Sequence, residues 1–170
     1  MNVREELLKE HSKAQCTKIV LWVSNNQQRF DELFCLFLKA EYRVVQRAAW
    51  PVSYCVIAEP ALIRKHWKKL VDNLKKTNLH TAVKRNSVRM LQHLEIPIKY
   101  QGDVMHICFN YLQSPKEAVA IKAFSMTVLG NLVKKYPEIK NELKYVIEEQ
   151  FADQTAGFRS RGKKILKAIE

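Results

Sequence analysis

An apolar residue followed four positions later by a small one recurs through this chain at a nearly fixed interval, and that recurrence restricts the fold more than any other feature. Val44-Val45-Gln46-Arg47-Ala48-Ala49 aligns with Val83-Lys84-Arg85-Asn86-Ser87-Val88, then with Val119-Ala120-Ile121-Lys122-Ala123-Phe124, and then with Phe158-Arg159-Ser160-Arg161-Gly162-Lys163. The small residues are Ala48, Ser87, Ala123 and Gly162, which lie 39, 36 and 39 positions apart. Two further positions follow each of them at plus three and plus four: Pro51 and Val52, Met90 and Leu91, Met126 and Thr127, Ile165 and Leu166. A small side chain lets a neighbouring helix approach closely, and the flanking side chains fill the groove so formed. Self-similarity at such a period marks stacked units, none of which buries its apolar face alone.

The stretches between and around these segments carry a helical rather than an alternating period. Helices are expected near 2–10, 13–24, 27–39, 42–57, 60–76, 80–94, 101–113, 116–135, 138–151 and 155–169. The boundaries have local causes. In Ser114-Pro115-Lys116-Glu117 the Ser can cap a new helix, Pro fits its first turn and Glu completes a capping box. Glu59-Pro60 and Tyr136-Pro137 close one helix and open the next. Pro51 lies inside a continuous apolar stripe and predicts a kink rather than a break.

These segments resemble the second helix of a HEAT repeat, in which a Val, a basic residue and two small residues precede further small or apolar positions. Val83 to Val88 is the closest copy, with Lys84 at the basic position; the third copy has Ala120 there, and the fourth has Lys163 where a second small residue is expected. The resemblance, to the small bacterial type of HEAT-like α-solenoid, implies an all-α superhelix of four to five antiparallel hairpins. The hairpins would be 27–57, 60–94, 101–135 and 138–169, with 1–26 as an N-terminal cap pair, all within a single domain over 1–170. An irregular helical bundle, which would show no fixed period, is the alternative.

The resemblance places the second helices on a concave face. The positions two, three and six after each leading apolar residue would be exposed there: Gln46, Arg47 and Trp50; Arg85, Asn86 and Arg89; Ile121, Lys122 and Ser125; Ser160, Arg161 and Lys164. The face holds no carboxylate, and the whole chain has 29 Lys and Arg against 17 Asp and Glu, a net charge of +12. Two readings follow. A protein or peptide ligand on the concave face is the common use of this architecture. A basic face also attracts nucleic acid or another polyanion, with salt-dependent affinity.

Trp22, Trp50 and Trp67 make the chain similar in outline to HEAT-like alkylpurine DNA glycosylases, which carry an acidic residue in a basic, aromatic channel. No Asp or Glu stands at the exposed second-helix positions here, and Trp22 and Trp67 fall within apolar stripes. The chain also looks like small bacterial proteins labelled adenylosuccinate lyase-like, but it lacks the Gly-Ser-Ser-x-Met-Pro signature of that superfamily. No nucleotide loop, nucleophile elbow or His-Glu-x-x-His helix is present. Cys16, Cys35, Cys55 and Cys108 lack metal or redox spacing and are expected as buried thiols. His106 and Cys108, the one close pair, point about 200° apart on a helix. No cofactor, metal or membrane partner is expected. A mean hydropathy of −0.29 and the lack of an export signal suggest a cytoplasmic protein.

Overall fold

Ten α-helices, two short 3-10 segments and no strand make up the computed structural model, which describes residues 1–170. The helices are α1 (Val3–Lys9), α2 (Lys13–Val23), α3 (Gln27–Lys39), α4 (Tyr42–Ala58), α5 (Trp67–Leu74), α6 (Thr81–Leu91), α7 (Ile98–Gln113), α8 (Val119–Val133), α9 (Lys140–Glu149) and α10 (Ala156–Ile169). Side-chain caps start five of them. Asn2, Ser12, Asn26, His80 and Thr155 accept backbone N–H groups that the first turn leaves without an intrahelical partner. The chain divides into two compact units, residues 1–94 and 95–170.

In the first unit α4 is the central element, packed by α1, α2, α3 and α6. Its buried stripe of Val44, Ala48, Val52 and Val56 meets Phe30, Phe34 and Phe37 of α3 and Val83 of α6 in one core. The helix continues through Pro51, which is itself buried, although proline has no N–H to give the Arg47 carbonyl. The pair α1–α2 is held on by polar contacts as well as by Val3, Leu7 and Ile19. Arg4 pairs with Glu41 at 2.5 Å, and within the pair Gln15 donates to the Glu6 carbonyl at 2.6 Å and to its carboxylate at 2.8 Å.

In the second unit α8 is packed by α7, α9 and α10. It is buried almost all round, and this explains why its sequence shows no single apolar face. Gly162 of α10 admits close neighbours. A Cβ there would stand 2.7 Å from Phe151 Cε1 and 2.9 Å from Ile147 Cγ2.

Three expectations need correction. Residues 60–76 are not one helix: Pro60–His66 is a 3-10 segment that leads into α5. Ser114 to Glu117 forms a turn, with the Glu117 N–H on the Ser114 carbonyl at 3.4 Å, and α8 begins later behind Ala118 without a side-chain cap. The third correction concerns repeat register. Ile121 and Ser125 are fully buried, whereas Val119 and Ala123 are half-buried. The third repeat therefore runs Ile121-Lys122-Ala123-Phe124-Ser125-Met126, two residues later than the alignment above. Its small residue is Ser125, which gives intervals of 39, 38 and 37, and Val128 and Leu129 take the two apolar places that follow. Lys122 now stands just after the leading apolar residue, where Lys84 and Arg159 stand in their own repeats.

Candidate functional site: the cleft between α4 and α6

Packing of α4 against α6 opens a cleft of about 380 Å³ in the first unit. Gln46 and Trp50, one turn apart on α4, form one wall; Arg85, Asn86 and Arg89 on α6 form the other. Thr81 and Ala82 contribute the first turn of α6, and His11 closes one side. No carboxylate lines this space.

Each wall is held by contacts below it. The Trp50 ring meets His11 edge-on at 5.6 Å and lies 6.2 Å from the Tyr54 ring. Arg89 donates to the Tyr54 hydroxyl at 3.1 Å, and its guanidinium lies 4.5 Å from the centre of the same ring. That hydrogen bond also holds the Tyr54 hydroxyl below the usual tyrosine value. Asn86 is committed to structure: its amide donates to the Ala82 carbonyl at 2.9 Å and accepts from Ser53 at 3.1 Å. Arg85 is exposed at the mouth. Two cations and a positioned indole thus face a space without a counter-charge, an arrangement that suits an anionic ligand with a flat or apolar part.

The other expected face residues have different placements. Arg47 donates to the Leu7 carbonyl at 3.0 Å and so fastens α4 to the end of α1. Lys122 is 2% exposed and donates to Gln150 Oε1 at 2.7 Å; burial pulls its ammonium below the ordinary lysine value. Its expected place on the ligand face is withdrawn, together with those of Ile121 and Ser125, because the register shift turns all three inward. In the second unit Arg161 donates to Thr127 Oγ1 at 2.7 Å, and Lys164 is exposed.

A family model described as HEAT repeat domain matches residues 3–169. The chain belongs to the HEAT repeat domain family. Neither the curated proteins nor the solved structures contained a match to it. The cleft lies between α4 and α6, the helices expected from the sequence as the second helices of the first two repeats. The structural register also removes a departure from the HEAT pattern, since the basic position of the third repeat is filled by Lys122 rather than left to Ala120.

Sequence reasoning missed three contributors to the cleft. Thr81 and Ala82 lie one turn before Arg85 and Asn86, so helical periodicity alone places them on the same face. His11 has no such signal, because it comes from the link between α1 and α2 and is brought there by the docking of that pair. The cysteines also divide: Cys16, Cys55 and Cys108 are buried, with the Cys55 and Cys108 thiols pushed up to about 12 by desolvation, whereas Cys35 is exposed. Trp67 is buried, and Trp22 is half-buried under the Arg29 guanidinium at 5.4 Å. No group of three or more His, Cys, Asp or Glu side chains is placed to hold a metal ion, and no helix is long and apolar enough to cross a membrane.

Proposed function

We propose that residues 1–170 act as one cytoplasmic HEAT-repeat binding module, without a catalytic step, that holds a protein or peptide partner at the α4–α6 cleft. The observation that carries this reading is the convergence of Gln46, Trp50, Arg85 and Arg89 from two consecutive second helices on one space without a carboxylate. A discrete cleft of that size takes a few side chains of a partner and suits recognition of a short segment. The second reading, nucleic acid, is favoured by the same pair of arginines. It asks more of the remaining basic residues, because a phosphate backbone needs a row of free cations. Lys122 is buried and cannot join such a row, and Arg47 and Arg161 are half-buried with a donor each already given to the protein.

A photocrosslinking amino acid placed at Gln46, and at the exposed Tyr145 of α9 as a control, tests the proposal in cells. A protein adduct is expected from position 46 alone, and Trp50→Ala should abolish it. Adducts of equal yield from both positions, or a nucleic-acid adduct from position 46, would overturn the proposal.

A further inference from the structure

We infer that the α4–α6 cleft is selective for an acidic peptide segment with an aromatic or large apolar residue among its carboxylates; this rests on the binding role proposed above and specifies its ligand. Charge is the first argument. Arg85 and Arg89 lie one turn apart on α6, and no acidic side chain in the cleft neutralises either. An arginine carries five N–H donors in a planar fork, and the Tyr54 hydroxyl uses one of those on Arg89. The remaining donors suit carboxylates, and the tyrosine beneath fixes the guanidinium before any ligand arrives, which lowers the entropy lost on binding.

The second argument is the opposite wall. Trp50, against His11 and Tyr54, offers an apolar surface beside the two cations. An apolar anchor placed there is shielded from water, while flanking carboxylates remain within reach of α6. Gln46 distinguishes a peptide from a phosphodiester. Its amide offers one donor group and one acceptor and so matches the C=O and N–H of a peptide link, whereas a phosphodiester presents acceptors only.

The test uses the full chain and a fluorescein-labelled nonapeptide with two glutamates on each side of a phenylalanine, followed by fluorescence anisotropy at low and moderate salt. Saturable binding is expected, weakened about tenfold or more when the glutamates are changed to glutamines or when the protein carries Arg85→Glu. Arg85→Gln serves as the milder variant, and thermal melts confirm that each variant is folded. Trp50→Ala, or alanine in place of the peptide phenylalanine, should weaken binding without changing its salt dependence, because neither alters charge. If the glutamine peptide binds as well as the acidic one, the selectivity inference falls while the peptide-binding role stands. If no peptide binds at low salt and a labelled DNA duplex or single strand does, both fall. If nothing binds, the inference is likewise overturned.

Discussion

Lys122 Nζ donates to Gln150 Oε1 at 2.7 Å, so a buried cation in α8 is met by a neutral amide just past the end of α9. The same Gln150 donates to the Leu112 carbonyl at 3.1 Å and the Val146 carbonyl at 2.9 Å. One side chain therefore links α7, α8 and α9. Lys122→Met keeps the packed stem and removes the desolvated ammonium, and it is expected to stay within about 1 kcal/mol of the parent. Gln150→Leu leaves the lysine and both carbonyls short of partners and should cost about 1–3 kcal/mol. In a double-mutant cycle by urea unfolding, the two changes together should cost less than their sum. Strict additivity would show that the contact carries no coupling.

The two-residue register shift in the third repeat yields a direct comparison. Ser125 is fully buried among packed helices, and Ala123 is half-buried. Ser125→Leu should overpack α8 and cost roughly 1–3 kcal/mol, whereas Ala123→Leu should cost less than about 1 kcal/mol. Unfolding midpoints of the two variants decide the matter. The reverse order would restore the register read from sequence.

Acid should loosen the N-terminal helix pair through Glu6. Its carboxyl is held at about 2, against an ordinary 4.5, chiefly by the hydrogen bond from Lys18, then by those from Lys9 and Gln15, with desolvation acting in the opposite direction. Because the folded-state value lies below the unfolded one, the folded protein binds fewer protons between them. The associated stability is fully present above about 4.5 and is lost as pH falls toward 2. Glu6→Gln should therefore be less stable than the parent at pH 7, and the gap should narrow as pH falls from 4.5 to 3. A gap independent of pH in urea titrations would assign Glu6 a purely packing role.

Much of the architecture was legible in the sequence because helices are local. The period of apolar residues and the prolines at 60 and 137 act within a few residues of one another. The repeats marked by Ala48, Ser87 and Gly162 could be aligned so that these small residues are buried, helped in α6 and α10 by one buried stripe on an otherwise polar surface. The third could not. In Val119-Ala120-Ile121-Lys122-Ala123-Phe124-Ser125 two registers offer an apolar residue followed four positions later by a small one, and α8, enclosed by three helices, has no polar face to choose between them.

The sequence by itself determined the all-α repeat class and the residue types at five places in the cleft: Gln46, Trp50, Arg85, Asn86 and Arg89. Tertiary structure alone decided which basic residues are available to a ligand. Arg47 and Arg85 are both expected on the exposed face of their helices, yet one is drawn to the Leu7 carbonyl, 40 residues away, and the other remains exposed at the cleft. Lys122 is hidden because three helices close around α8, and His11 joins Trp50 because α1 and α2 dock on α4. The physical reason is range. Backbone periodicity and capping act within a turn or two, whereas the fate of a long cationic side chain depends on acceptors supplied by segments distant in sequence.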